Sequence, residues 1–179
     1  LPTMSQIGSD EICAGASVTF VFDATSLDPN GLEWQSSVDN ATWYPIQNGL
    51  VENGGIAAVQ KYTVVNTGFY RLAYTNAGNT TYTTASDVTV YENPIVTITP
   101  SVSLVNLCTN TALSLSSSVS LAGTYTYTWT SNGSIVGSAS QLAINSNGVY
   151  KIKMTDSHGC FGEATSDQVL FNPLPTATI

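Results

Sequence analysis

Three consecutive residues, Asp156-Ser157-His158, carry the side-chain types of a hydrolytic triad: a carboxylate to orient, an imidazole to move a proton and a hydroxyl to attack. Their adjacency argues against that use. Neighbours on a tight turn point different ways, whereas a triad draws converging groups from separate elements. An Asx-type turn with Gly159 at its left-handed position accounts for the stretch. The chain has 1 histidine, so zinc sites that need two or three imidazoles cannot be assembled within it. A nucleophilic or redox-active thiol at Cys13, Cys108 or Cys160 would need a nearby base or cation, and Lys plus Arg number only 4. Alternation turns Lys151 and Lys153 outward, away from the burial that a Lys–Asn isopeptide bond requires. No catalytic residue is therefore assigned, and the chain reads as a non-enzyme.

Binding chemistry leaves more to weigh. Asp28-Pro29-Asn30-Gly31, Asp39-Asn40 and Glu92-Asn93 offer oxygens to calcium, but none has an EF-hand spacing and all are turn-forming residues first. No cofactor is expected, with a structural calcium as the lesser reading. Trp34, Trp43, Tyr44, Tyr74 and Tyr82 could stack on sugars. Strand alternation buries Trp34, which leaves Trp43 and Tyr44, beside Pro45, as the candidate ligand contacts; packing of that region is the plainer account. The sequons at Asn40, Asn79 and Asn132 are expected by chance in so Ser/Thr-rich a chain.

The elements that must position these residues are strands. Only 9% of the 179 residues are charged, against roughly 25% in ordinary soluble proteins, while 42% are hydrophobic. The net charge of −8 repels the phosphates of nucleic acid and of anionic membranes, so neither is an expected partner. No apolar run approaches the roughly 20 residues of a membrane span, and Leu1-Pro2-Thr3-Met4 does not open a signal peptide. The expectation is a soluble piece of a longer mature chain. Runs such as Ser17–Phe22, Lys61–Val65, Thr124–Trp129 and Gly148–Met154 alternate one face against the other and are separated by Gly, Asn, Asp and Ser. Helical periodicity is almost absent. The fold class is all-β, in antiparallel sheets.

The chain also repeats itself. Gly68-Phe69-Tyr70-Arg71-Leu72-Ala73-Tyr74-Thr75-Asn76 aligns with Gly148-Val149-Tyr150-Lys151-Ile152-Lys153-Met154-Thr155-Asp156, and Ile12-Cys13 matches Leu107-Cys108. Two units are expected, 1–92 and 93–173, with 174–179 opening a following repeat because Leu174-Pro175-Thr176 echoes Leu1-Pro2-Thr3. Within each unit the landmarks fit an immunoglobulin-like β-sandwich: a core tryptophan (Trp34, Trp129) about twenty residues after the cysteine, then a turn and a tyrosine (Tyr70, Tyr150) of the tyrosine-corner kind. Two residues past that tyrosine, antibody domains carry a cysteine. Here Leu72 and Ile152 stand there, so aliphatic packing replaces the inter-sheet bridge.

Cys13-x-Gly15, Trp34-Gln35-Ser36-Ser37-x-Asp39-Asn40-x-x-Trp43, Gly148-x-Tyr150 and Thr155-Asp156-Ser157-His158-Gly159-Cys160 together resemble the Ig-like and PKD-like tandem repeats of Bacteroidota cell-surface adhesins. These include the gliding-motility type exported by the type IX secretion system. The resemblance implies extracellular display at the cell surface, and stalk, spacer or adhesive work rather than catalysis. Its implied partners are neighbouring repeats of the same chain and surface glycans or other cells. A carbohydrate-binding accessory module of a secreted enzyme is the alternative. Three cysteines in such a chain suggest one disulfide. In a sandwich, the turn after the first strand (Cys108) and the turn between the last two strands (Cys160) lie at opposite ends, roughly 20 Å apart, and a bridge needs Cα atoms within about 7 Å. The reading therefore favours Cys13 with Cys160, between units stacked head to tail. Cys108 with Cys160 is the alternative, and no bridge the remainder.

Overall fold

The computed structural model describes residues 3–24, 27–28, 31–46, 59–101, 104–109 and 112–175. The chain divides into two compact units, Leu1–Tyr91 and Glu92–Ile179. Among the described residues every regular element is a strand.

In the first unit the alternating run near residue 20 becomes β3 (Val18–Asp23), which buries Val18, Phe20 and Phe22 on one face. β3 is the centre of one layer. It pairs antiparallel with β1 (Met4–Ile7) on one side and β6 (Val59–Val64) on the other. The second layer runs in the order β2 (Glu11–Cys13), β9 (Ser86–Tyr91), β7 (Gly68–Asn76), β4 (Leu32–Ser37), β5 (Tyr44–Pro45), with β8 (Asn79–Tyr82) also on β7. All these pairs are antiparallel except β2 with β9, which is parallel. Between the layers sit Val18, Phe20, Phe22, Ala24, Trp34, Val64, Tyr70, Leu72 and Val88. Phe20 lies 6.4 Å from Trp34 and 5.7 Å from Tyr70, ring centre to ring centre, and Tyr62 lies 5.7 Å from Trp34. Aromatic pairs at these separations add about 0.5–1.5 kcal/mol beyond the area they bury.

The second unit repeats the plan. β10 (Val96–Thr99), β12 (Leu113–Val119) and β15 (Gln141–Ile144) form one antiparallel layer in that order. β14 (Ser134–Gly137), β13 (Thr126–Ser131), β16 (Tyr150–Thr155) and β17 (Phe161–Thr165) form the other. β11 (Leu104–Cys108) runs parallel to β18 (Val169–Asn172), as β2 does to β9. Thr124 and Tyr125 precede β13 rather than opening it. The Tyr125 hydroxyl is drawn to the Leu121 carbonyl, to which it donates at 3.0 Å. Leu174 and Pro175 are exposed and lie outside any strand, and the rest of the expected following repeat, 176–179, falls outside the described residues.

The core positions read from the sequence sit as follows. Trp34 is directly opposite Leu72, and Trp129 directly opposite Ile152, all four buried. The indole is thus packed against the aliphatic group that stands in the bridge position. Burying a Leu or Ile side chain is worth about 1.5–3 kcal/mol, comparable to a modest disulfide. Tyr70 donates its hydroxyl to the Asn66 carbonyl at 2.9 Å, and Tyr150 to the Ser146 carbonyl at 2.7 Å. Each tyrosine body fills the core while its polar tip fixes the turn before its own strand. Trp129 Nε1 donates to the Ala139 carbonyl at 2.8 Å, whereas Trp34 Nε1 meets no acceptor among the described residues.

Candidate functional site

On β4 the residues flanking Trp34 point the other way, and Glu33 and Gln35 therefore lie on the outer face of their sheet, beside their partners Ala73 and Arg71 on β7. Tyr82 on β8 stands opposite Ala73, and Thr80 opposite Thr75. Gln35 Nε2 donates to Glu33 Oε1 at 2.7 Å, and Arg71 Nε donates to Gln35 Oε1 at 2.8 Å. This relay fixes which way the amide faces. The Arg71 Cζ lies 4.0 Å from the centre of the Trp43 ring and 3.8 Å from that of Tyr82. Both rings therefore contact the guanidinium and restrict where it can swing. Each contact of this kind is worth about 0.5–2 kcal/mol, more as water is excluded. Burial lowers the Arg71 pKa from its ordinary value, and the Tyr82 hydroxyl acts in the opposite direction.

Trp43 reaches this position through the turn that precedes it. Asp39 Oδ1 accepts from the Ser37 hydroxyl (2.8 Å), the Ala41 N–H (2.9 Å) and the Thr42 N–H (2.7 Å), while Oδ2 accepts from the Thr42 hydroxyl (3.2 Å). The N–H groups of Thr42 and then Ala41, followed by the Ser37 hydroxyl, hold the carboxyl well below the usual carboxylate range. Ser37 is itself buried. The run from Trp34 to Trp43 therefore works as a unit: one tryptophan in the core, a glutamine on the arginine, a capped turn, and a second tryptophan on the arginine. Asp39, weighed above as a calcium donor, spends its oxygens on this turn. Asp28 and Glu92 are exposed, and Pro29 and Asn30 lie outside the described residues. Among the described residues no three His, Cys, Asp or Glu side chains gather closely enough to hold a metal ion.

Trp43 and Tyr44, the candidate ligand contacts, have different neighbours. Tyr44 stands opposite Ser36 and lines a hollow of about 230 Å3 with Ser36, Ser37 and Tyr70, whereas Trp43 lies on Arg71. A groove of about 360 Å3 runs from Gln35 and Tyr82 along Glu33, Ala73, Thr75 and Thr80. Arg71, Gln35 and Glu33 were not singled out from the sequence. The available signal was the outward phase of the one arginine in a chain with so few cations.

Asp156-Ser157-His158 forms a turn: Asp156 Oδ1 accepts from the N–H groups of His158 and Cys160, both at 2.9 Å, and Gly159 has φ 85°. His158 Nδ1 is 3.8 Å from Asp156 Oδ2, and Ser157 is exposed. Lys151 pairs with Glu163 at 2.6 Å, and Lys153 Nζ sits 3.8 Å over the Phe161 ring. Cys13 and Cys160 are disulfide-bonded, and Cys108 is a free, exposed thiol. The Cys108–Cys160 alternative is therefore not made. Cys108 is in register with Asn172, at the far end of the β17–β18 edge from Cys160, and that length of extended chain is on the order of 30 Å.

Two layers, a first strand that changes layer, a parallel closing pair and a tyrosine corner recur in this strand order. The fold is immunoglobulin-like. No family model matches this chain, and no curated protein does. Solved structures similar to it include a chimeric titin Z1Z2-Z1Z2 tandem functionalized with a fibronectin peptide (15% identity, TM-score 0.41, covering 96% of this chain and 100% of that one). Fibronectin(III)-like modules of Clostridium thermocellum CbhA match at 15% identity and TM-score 0.44, covering 99% of both chains. A structure of three titin Ig domains matches at 14% identity and TM-score 0.47, covering 91% of this chain and 62% of that one.

Proposed function

We propose that the chain is a pair of non-catalytic immunoglobulin-like repeats from a large extracellular bacterial surface protein, serving as stalk, spacer and adhesion element. The observation that carries the reading is one sandwich built twice, with the same core pair and the same tyrosine corner, in a chain whose Cys13 and Cys160 are oxidised. Disulfides persist in oxidising compartments, and duplicated modules of this size suit a chain that must extend rather than enclose a substrate. On this reading the pairing is Cys13 with Cys160, a bridge between successive repeats. Cys108 holds in the second unit the place that Cys13 holds in the first, each on a strand paired in parallel with the last strand of its unit. The resemblance to Bacteroidota adhesins points to export by the type IX system and to neighbouring repeats as partners.

Peptide mapping without reduction, after blocking free thiols, tests this reading. A Cys13–Cys160 linked peptide with Cys108 carrying the blocking label is expected; Cys108 linked to Cys160 would overturn the inter-repeat bridge. Mild protease treatment of intact cells should release peptides of this chain, and their appearance only after lysis would overturn surface display. The carbohydrate-binding accessory reading has the Trp43–Arg71–Tyr82 stack in its favour. It requires a catalytic domain in the same parent chain, which the parent's sequence decides.

A further inference from the structure

We propose that Arg71 is the centre of a binding site for a carboxylated sugar, a single sialic- or uronic-type residue at the end of a glycan. Three observations converge on its guanidinium. Its Cζ lies within about 4 Å of the centres of both the Trp43 and the Tyr82 rings, and its Nε donates to Gln35 Oε1. Among the described residues, no hydrogen bond or ion pair engages its terminal amino groups. A planar fork with fixed orientation and open terminal donors is the arrangement that takes a carboxylate in two parallel hydrogen bonds. The cost of ordering a long, flexible side chain is already met by the stack, which favours binding.

A purely structural role explains this less well. An apolar side chain would pack against two rings without desolvating a charge. The neighbouring carboxylate that could neutralise Arg71, Glu33, is instead turned to the Gln35 amide. A half-buried cation with no carboxylate partner is left, and a ligand carboxylate would relieve it. Arg71 itself does not line the neighbouring groove of about 360 Å3, but two residues it touches, Gln35 and Tyr82, do; the volume is within the range of small-ligand sites, and the wall carries the Glu33 carboxylate and the Thr75 and Thr80 hydroxyls. Those groups suit sugar hydroxyls better than peptide side chains. The net charge of −8 opposes a polyanion, which restricts the ligand to one terminal carboxylate rather than a polyuronate.

This site deepens the adhesive half of the function proposed above and rests on it; the spacer half is tested by cysteine mapping and survives if no sugar binds. The experiment is titration of the 15N-labelled tandem with 3′-sialyllactose and with a glucuronate-terminated disaccharide. The methyl ester of each, lactose, and an acetylated Asp-Glu peptide run beside them. Saturable shifts at Gln35, Arg71, Ala73 and Tyr82 are expected with one of the two acids, and which acid binds separates the two sugar classes. Esterification should weaken binding about tenfold or more. Arg71→Lys, which keeps the charge and loses the fork, should weaken it to a similar extent, and Lys151→Gln should leave it unchanged. Equal binding of acid and ester, binding by Arg71→Lys at the wild-type level, shifts with the peptide alone, or no shift with either sugar would each overturn the proposal. Should the Arg71 variant not fold, the acid and ester on the wild-type protein decide the matter alone.

Discussion

At Asp39 a solvent-exposed carboxylate collects two N–H groups and two hydroxyls, and these contacts hold its pKa far below the ordinary range. A carboxyl whose pKa is depressed by folding contributes stability above its unfolded pKa and loses that contribution as the pH falls toward the folded value. Acid should therefore loosen the turn from about pH 4 downward. Melting curves between pH 7 and pH 2 are expected to show Asp39→Ala destabilised at neutral pH, with the gap to wild type closing as the pH drops. A constant gap would mean that the charge is not what holds the turn. The tyrosine corners make a second residue-level test. Tyr70→Phe and Tyr150→Phe each remove one hydrogen bond to a carbonyl in a turn, at a cost of about 1 kcal/mol. For units of this size that is a fall of roughly 4–8 °C in the corresponding melting transition. Both corner tyrosines are legible in the sequence from the preceding glycine and turn. The Arg71 site is not: alternation turns Arg71 outward, but its two rings come from a loop and from another strand, and no spacing rule joins them.

Strand interiors were the most legible elements and strand edges the least. The alternation in β3, β7 and β16 follows from burial on one face, so the apolar positions identify themselves. What alternation cannot convey is which layer an edge segment joins. β1 and β2 belong to different layers, as do β10 and β11, and the last edge of each unit is split into β8 and β9 or β17 and β18. At those splits a side chain substitutes for the ladder: the Leu72 N–H donates to the Thr83 hydroxyl at 3.0 Å, and the Tyr150 N–H to the Ser166 hydroxyl at 2.9 Å. In a chain full of Thr and Ser nothing local marks these two. The hairpin turns give a sharper contrast. Asn132-Gly133 between β13 and β14 has φ 50° and 79°, and Ala77-Gly78 between β7 and β8 has φ 48° and 83°. Both are two-residue turns of the kind that favours Asn-Gly, and alanine is strained where asparagine is tolerated. Ala77→Asn should stabilise the first unit by about 0.5–1 kcal/mol, and Asn132→Ala should cost the second a similar amount. Urea denaturation measures both, and a loss of stability in Ala77→Asn would contradict the turn assignment.

At the scale of the whole molecule, each unit holds a complete core of its own. Trp34, Phe20, Tyr70 and Leu72 belong to one cluster of buried side chains, and Trp129, Leu115, Tyr150 and Ile152 to the other. Such autonomy is what a spacer built of repeats needs, because damage or load on one module should not release its neighbour. It also keeps the proposed Arg71 site within the first unit; the second carries Lys151 and Lys153 where the first carries Arg71 and Ala73. Trp129→Ala tests the point. It removes a fully buried indole together with its hydrogen bond to Ala139, at a cost of about 3–5 kcal/mol. That is a large share of the 5–15 kcal/mol available to a domain. The 15N spectrum of the variant should lose dispersion for residues 92–179 while the resonances of Phe20, Tyr62, Tyr70 and Leu72 stay at their wild-type positions. Collapse of both sets would show that the cores support each other and that the first unit does not hold its fold alone.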